Sequence, residues 1–194
     1  MAETTQPPSA GPKVVFLGDS ISAGLHLAEG DAFPAVLQRR LAARGEPFQL
    51  INAGVSGDTT AGGLRRADWL LKQKPAIVVV ELGANDGMRG IDPKVMEENL
   101  EGILEKIEAA GAKALLLGMR IPPSFGGEHT RAFEAVFDRL GEEVDGAYVP
   151  FFMKGVAGEA KLNLEDGIHP TVEGQAILAG NVEDALYELL REIP

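Results

Sequence analysis

Short runs of apolar residues recur along this chain, and they constrain its fold more than any other feature of the sequence. Four runs are strongly apolar and a fifth is weaker; they occupy residues 14–17, 48–51, 76–82, 114–117 and 148–152. A strand with one solvent-facing side alternates apolar and polar residues, whereas a parallel strand that is covered on both faces is apolar along most of its length. The runs therefore predict five buried strands of a mostly parallel sheet.

Segments with helical periodicity lie between and after these runs, at residues 32–43, 60–72, 93–110, 130–143 and 171–191. The third segment has the clearest limits, because Asp92 can cap its start, Pro93 suits its first turn and Gly111 follows its end. Strands that alternate with helices form βαβ units with right-handed crossovers. We therefore expect an α/β fold, a three-layer α/β/α sandwich of flavodoxin-like type with a five-stranded, mostly parallel sheet.

The length of the chain indicates a single domain. Its 194 residues are enough to bury one substantial core, and the sequence contains no internal repeat. We predict that residues 13–194 form this domain. Residues 1–12 contain Pro7, Pro8 and Pro12 among small polar residues, and we predict that they form a flexible tail.

Charge and composition exclude several classes of partner and chemistry. The formal net charge is -11 and no cluster of Lys and Arg interrupts it, which argues against binding to nucleic acid or to anionic membrane surfaces. No apolar run is long enough for stable insertion into a membrane. The chain contains no cysteine, which excludes disulfides, thiolate catalysis and zinc–cysteine sites. The oligomeric state stays open.

Two short polar segments, far apart in sequence, carry the residues of a candidate catalytic triad. Gly18, Asp19 and Ser20 end the first apolar run, while Asp166 and His169 precede the last helix. A serine hydroxyl is a weak nucleophile at neutral pH and needs a neighbouring base, which in turn needs an orienting carboxylate. Because the carboxyl ends of parallel strands gather at one edge of a sheet, the two segments can meet there. This pattern is typical of a serine hydrolase.

Four polar segments together resemble the four signature blocks of the SGNH (GDSL-type) hydrolase family. They read GDSISAG at 18–24, NAGVSGDT at 52–59, ELGANDG at 81–87 and DGIHP at 166–170. They occur in the family order, and each is expected to lie in a loop after a predicted strand. Within the family the chain is most similar to the bacterial multifunctional thioesterase/lysophospholipase and arylesterase group, which it also matches at 120–126 (RIPPSFG) and 150–153 (PFFM).

The resemblance implies a role for each matching residue. Ser20 would be the nucleophile, His169 the general base and acid, and Asp166 the carboxylate that orients His169. The backbone N–H groups of Ser20 and Gly57 and the side-chain amide of Asn85 would hold the oxyanion. The residues expected to contact substrate are Ile21, Ser124, Phe125 and Ile168.

The expected reaction is hydrolysis of a carboxylic ester through an acyl-serine intermediate. The partner would be a small-molecule ester or an acyl-lipid, with aryl and acyl esters first and acyl thioesters and lysophospholipids as further candidates. This chemistry needs no cofactor and no metal. The compartment stays open: family resemblance favours a periplasmic or secreted protein if a leader has been removed, and a cytoplasmic protein otherwise.

Other interpretations of the same residues stand beside this one. A serine after a strand is often only a helix cap, as Ser20 would then be, and Asn85 would be a turn residue in a loop. The segment around Ser56 approaches the G-x-S-x-G elbow of α/β-hydrolases, but Asp58 stands where the last glycine should be, so we reject that fold. The functional alternatives are a non-catalytic lipid- or glycan-binding module, a carbohydrate acetylesterase and an acyltransferase that uses the same serine.

Overall fold

The computed structural model describes residues 11–193, and at its centre lies a five-stranded sheet in which every neighbouring pair of strands is parallel. The strands in chain order are β1 (Lys13–Gly18), β2 (Gln49–Asn52), β3 (Ile77–Glu81), β4 (Lys113–Leu117) and β5 (Gly146–Val149). Their order across the sheet is β2-β1-β3-β4-β5, which is the flavodoxin-like arrangement. The predicted α/β fold is confirmed.

Helices form the two outer layers. Within the described residues these helices are α1 (Ser20–Ala23), α2 (Phe33–Ala43), α3 (Thr60–Leu71), α4 (Ala84–Met88), α5 (Pro93–Ala109), α6 (Gly127–Glu143) and α7 (Val172–Glu192). Helix α2 packs against α7, while α5 packs against both α3 and α6. No helix between residues 11 and 193 is both long enough and apolar enough to cross a membrane.

Burial is greatest in the middle of the sheet. Every residue of β3 is buried, and so is β1 after its first residue, whereas the edge strands β2 and β5 are only half-buried. Strands covered on both faces are expected to be apolar throughout. These two strands are apolar except for the half-buried Lys13 at the start of β1 and the buried Glu81 at the end of β3. At the centre of the core, the Phe16 ring lies 5.6 Å from the ring of Phe33.

The fifth strand is shorter than predicted. It ends at Val149, so Phe152 lies in the connection that follows it. The apolar side chain of Phe152 is fully buried in the core although it does not belong to a strand, and its ring centroid lies 4.9 Å from that of Phe33. We expected the segment 166–170 to follow a strand directly, and this was wrong. The segment instead ends the long connection 150–171 that leads into α7.

Most of the predicted tail lies outside the described residues. Of residues 1–12, the structure describes only Gly11 and Pro12. Both are hydrogen-bonded to Gln49: its side-chain amide donates to the Gly11 carbonyl and its backbone N–H donates to the Pro12 carbonyl, each at 2.9 Å. The predicted limits of the tail and of the single domain stay predictions.

The strand order places a topological switch point at the carboxyl edge of the sheet, between β1 and β3. Strands β1 and β3 are neighbours although β2 lies between them in sequence, so the chain leaves the two strands toward opposite sides. Helix α1 begins at Ser20, shortly after the end of β1, and helix α4 begins at Ala84, shortly after the end of β3. Ligands of open α/β sheets bind at such a switch point, so this is where a functional site is expected.

Candidate active site

Ser20 is the first residue of the short helix α1, directly beyond β1. The side chain of Asp19 caps this helix by accepting a hydrogen bond from the Ile21 N–H at 2.9 Å. The helix ends after one turn because Gly24 adopts the left-handed conformation, with φ of 66°. Ser20 is 6% exposed. The nucleophile candidate thus lies in a tight, almost buried turn.

Asp166 and His169 belong to a tight loop in front of α7. Asp166 Oδ1 accepts hydrogen bonds from the backbone N–H groups of Ile168 and His169, both at 2.9 Å. Gly167 turns the chain with φ of 70°, and the Leu164 N–H donates to the His169 carbonyl at 2.7 Å. Contacts between residues close in sequence therefore fix the loop.

The fold brings the serine, the histidine and the aspartate into one hydrogen-bonded line. His169 Nε2 lies 2.8 Å from Ser20 Oγ, across 149 positions of the chain. His169 Nδ1 lies 2.6 Å from Asp166 Oδ2. With its proton on Nδ1, the imidazole donates to Asp166 and accepts from the Ser20 hydroxyl. This is the geometry in which a histidine can take the proton of a serine hydroxyl.

The carboxyl group of Asp166 is held in its ionised form. The hydrogen bond from the His169 N–H, together with those from the His169 side chain and the Ile168 N–H, lowers the pKa of Asp166 to about 2. Burial opposes this shift only weakly, since the Asp166 side chain is 40% exposed. An aspartate that stays ionised can orient the imidazole and stabilise the imidazolium that forms when it takes a proton.

The predicted oxyanion donors lie on three different elements. Gly57, in the loop between β2 and α3, has φ of 78°, which favours glycine. Asn85 is the second residue of α4 and not part of a loop; its Nδ2 gives one proton to Asp19 Oδ2 at 3.0 Å and keeps the other. Within residues 11–193, the N–H groups of Ser20 and Gly57 donate to no protein acceptor. All three groups therefore have a proton available for a ligand.

An arginine that our sequence analysis did not identify fixes the Gly57 loop against the nucleophile strand. Arg66 on α3 donates from Nε to Asp58 Oδ2 at 2.8 Å. Its two other nitrogens donate to the carbonyl of Ala53 at 2.5 Å and to the carbonyl of Gly18 at 2.9 Å. One guanidinium thus joins the end of β1 to the loop after β2. An arginine on a helix carries no local signal of such a role.

A buried glutamine connects the two halves of the triad. Gln175, in the first turn of α7, donates from Nε2 to the Ile21 carbonyl at 3.1 Å and accepts from the Phe33 N–H at 2.8 Å. It joins the helix that follows His169 to the turn that begins with Ser20. A glutamine on the buried face of a helix is a signal that the sequence does contain.

The four predicted substrate contacts fall into two groups. Phe125, at 42% exposure, and Ile168, at 44%, are large apolar side chains at the surface, and Ser124 is exposed beside Phe125 on the 3₁₀ turn Pro123–Phe125. Ile21 is buried in the core, and its backbone carbonyl is engaged by Gln175. Only the first three side chains are accessible to a ligand in this structure.

Known proteins resemble this chain over nearly its whole length. Residues 16–177 match the sequence profile of the GDSL-like lipase/acylhydrolase family. Esterase TesA of Pseudomonas aeruginosa is 44% identical over 183 residues, which make up 94% of this chain and 91% of that protein. Thioesterase 1/protease 1/lysophospholipase L1 of Escherichia coli is 39% identical over 94% of this chain and 86% of that protein.

A solved structure extends the similarity to the fold. The psychrotrophic esterase EstA from Pseudoalteromonas, in a crystal structure inhibited by monoethylphosphonate, superposes with a TM-score of 0.86 at 35% sequence identity. The match covers 93% of this chain and 99% of that one. The similarity to this esterase therefore extends over nearly the whole chain.

Proposed function

The chain belongs to the GDSL-like lipase/acylhydrolase family, and on this basis we propose that it hydrolyses carboxylic esters with Ser20 as nucleophile, His169 as general base and acid, and Asp166 as the group that orients His169. One observation carries the proposal: two hydrogen bonds join Ser20 to His169 at 2.8 Å and His169 to Asp166 at 2.6 Å. A serine that only caps a helix needs neither partner.

The first half of the reaction transfers the acyl group to the protein. Ser20 Oγ attacks the carbonyl carbon of the ester while His169 Nε2 takes the hydroxyl proton. The electron pair of the carbonyl bond moves to oxygen, where the N–H groups of Ser20 and Gly57 and the Asn85 amide stabilise the negative charge. The tetrahedral intermediate then expels the alcohol or thiol, which receives its proton from His169.

The second half returns Ser20 to its starting state. His169, neutral again, takes a proton from a water molecule as the water oxygen attacks the acyl carbon of the acyl-serine. The second tetrahedral intermediate uses the same three oxyanion donors. It breaks the bond to Ser20 Oγ, the proton on His169 passes to that oxygen, and the carboxylic acid product leaves. The ionised Asp166 stabilises the imidazolium in both halves.

We propose small-molecule esters with an apolar acyl group as the substrate class. The relatives carry the names esterase and thioesterase/lysophospholipase, so their activities span different leaving groups joined to an acyl group. The exposed side chains of Phe125 and Ile168 offer apolar surface, Ile168 directly beside His169 in sequence. A site that binds mainly the acyl group accepts alcohols and thiols alike as leaving groups.

The proposal is tested by steady-state hydrolysis of p-nitrophenyl esters of graded chain length, an acyl-CoA thioester and a lysophospholipid. The wild type is expected to turn over at least the short esters. Ser20→Ala is expected to lower kcat/KM by a factor on the order of 10⁴ or more, because only the oxyanion donors and substrate binding then accelerate the reaction. Ser56→Ala is the matched control: this serine lies next to Gly57, but within residues 11–193 it has no hydrogen bond to a histidine, and its variant should keep normal turnover.

Two outcomes would contradict the proposal. Full activity in Ser20→Ala together with loss in Ser56→Ala would place the nucleophile elsewhere. A wild type that binds the lipids but hydrolyses none of the substrates would indicate a non-catalytic binding module.

A further inference from the structure

Two buried carboxyl groups lie directly beneath the nucleophile, and the proposed reaction uses neither. The first is Glu81, the last residue of β3, which is completely buried. Its Oε2 accepts hydrogen bonds from the Asp19 N–H at 3.2 Å, the Ser22 N–H at 3.2 Å and the Ser22 hydroxyl at 2.7 Å. Its Oε1 is buried without a partner among the described residues. Glu81 thus binds both flanks of the turn that contains Ser20.

The second carboxyl group is that of Asp19, which is 1% exposed. Its Oδ1 accepts from the Ile21 N–H at 2.9 Å, and its Oδ2 accepts from Asn85 Nδ2 at 3.0 Å. Asp19 therefore connects the turn that carries the nucleophile to the side chain of a proposed oxyanion donor on a different strand–helix unit.

Keeping two carboxyl groups at this place is unfavourable for the fold. A buried carboxyl group loses its hydration, and a second one nearby adds repulsion. Burial raises the pKa of Glu81 well above its usual range, and the neighbouring Asp19 raises it further. An apolar residue in place of Glu81 would continue the apolar pattern of β3. What the carboxyl group contributes is its hydrogen bonds: it satisfies three buried donors of the Ser20 turn, which an apolar side chain would leave unpaired.

The bonding pattern leaves particular protons unused. The two carboxyl groups accept the backbone N–H protons of Asp19, Ile21 and Ser22, and one proton of the Asn85 amide. In the described structure this leaves unpaired the Ser20 N–H and the second Asn85 proton, which are two of the three donors proposed for the oxyanion.

We propose that Glu81 and Asp19 are positioning residues: Glu81 fixes the Ser20 turn, and Asp19 fixes the Asn85 amide against it, so that their free N–H groups converge on the oxyanion. This inference rests on the proposed ester hydrolysis. Neither residue touches the substrate; both act through Ser20 and Asn85. Losing one of them should lower kcat more than it raises KM, because the donors matter most when charge develops on the carbonyl oxygen.

The pH dependence offers an independent consequence for Asp19. The charged groups near its carboxyl group are Glu81 on β3, His169 in front of α7 and Asp58 in front of α3. Burial raises the pKa of Asp19 to about 6. Below that pH the group is protonated and no longer accepts well from Asn85, so the activity of the wild type should fall on the acid side. Replacing Asp19 with asparagine should change the shape of that acid limb.

The Glu81 part of the proposal is tested with two matched variants. Glu81→Gln keeps an acceptor oxygen and should retain kcat within about threefold, whereas Glu81→Met removes the acceptor and should lower kcat by about tenfold or more with little change in KM. Glu81→Met leaves the Asp19 N–H, the Ser22 N–H and the Ser22 hydroxyl without their acceptor, so its melting temperature should fall, and kcat is therefore compared per folded protein. A methionine variant with normal kcat would overturn this part, and so would a loss of kcat that only follows a loss of folded protein.

The Asp19 part is tested by a double-mutant cycle with Asn85. If Asp19 acts through Asn85, Asp19→Asn and Asn85→Ala each lower kcat, and the double variant loses little more than Asn85→Ala alone. Losses that simply multiply would overturn the connection. Asp86→Asn is the control, since Asp86 is a buried carboxyl on the same helix as Asn85 but bonds to Thr60 instead. It should keep kcat in its folded fraction.

The same assays separate failure of this inference from failure of the proposed function. A wild type without ester hydrolysis would refute the function itself. A hydrolysing wild type whose Asp19→Asn and Glu81→Met variants turn over normally would refute only the positioning roles.

Discussion

The turn with Ser20 and the loop with His169 meet at one hydrogen bond, yet they are held in place by different kinds of contact. The Ser20 turn is buried, and the side chains that bond to it include those of Glu81 and Gln175, as many as 154 positions away in sequence. The His169 loop is more exposed, and its main supports come from Asp166, three positions away. The nucleophile is thus positioned by the whole fold, and the base by its own short segment.

The two aspartates of the site show the same contrast in their ionisation. Backbone and side-chain donors in the exposed loop lower the pKa of Asp166 to about 2. Burial under the nucleophile raises the pKa of Asp19 to about 6. Solvent and N–H donors stabilise the negative charge of Asp166. Ionisation of the buried Asp19 instead lowers the stability of the folded protein.

The largest expected effect breaks the link between the two regions. His169→Ala should lower kcat/KM about as much as Ser20→Ala, by a factor on the order of 10⁴ or more, because triad members act as a unit. Since the local contacts of the loop are mostly to backbone atoms, the melting temperature should change little. Hydrolysis of a p-nitrophenyl ester and thermal unfolding measure both. A variant that stays as active as the wild type would mean that Ser20 has a different base.

A smaller loss is expected on the long-range side. Asn85→Ala should lower kcat by about 10²–10³-fold while KM changes far less, as for other single oxyanion donors. The comparison is made on one ester at saturating and limiting concentrations. If Asn85 served only the backbone of α4, the variant would instead lose stability while its folded fraction kept the normal kcat.

Thermal stability as a function of pH should separate the two aspartates. A free aspartate has a pKa of about 3.9, so Asp166 stabilises the fold above that value, and this contribution is lost as pH falls toward about 2. Asp19 acts in the opposite sense. In the folded protein its carboxyl group keeps the proton up to about pH 6, whereas in the unfolded chain it loses the proton near its free value, so the stability of the fold decreases as the pH rises between these two values.

Variants make this difference measurable. Relative to the wild type, the melting temperature of Asp19→Asn should rise between pH 4 and pH 7. That of Asp166→Asn should fall between pH 2 and pH 5. Parallel curves for the wild type and both variants would contradict the assigned pKa shifts.

The smallest effect concerns the rim of the site. Phe125→Ala and Ile168→Ala should change the ratio of long-chain to short-chain ester hydrolysis by a few-fold, since each removes apolar surface that an acyl chain can cover. Thr130→Ala, a small change at a buried position on α6, is a suitable control. An equal loss on every chain length would show that these side chains do not contact the acyl group.

The contrast between the two regions also explains what the sequence could and could not predict. The D-x-x-H spacing of Asp166 and His169 is a local pattern, and the apolar runs specified the strands because central strands are covered on both faces. Gln175 and Arg66 were missed because their partners lie far away in sequence. Glu81 did leave a signal, a charged residue inside an apolar run, but the run alone does not reveal which groups that charge contacts. Asn85 was placed in a loop because α4 is too short to show helical periodicity.

The central claim is that Ser20 is the nucleophile, and an organophosphate or sulfonyl fluoride reagent tests it most directly. We expect one equivalent of reagent to add to the wild type and to Ser56→Ala, and peptide mass mapping to locate the adduct on Ser20. Ser20→Ala should remain unlabelled, and His169→Ala should label far more slowly because its serine lacks a base. An adduct that persists in Ser20→Ala, or that maps to Ser56 in the wild type, would contradict the account.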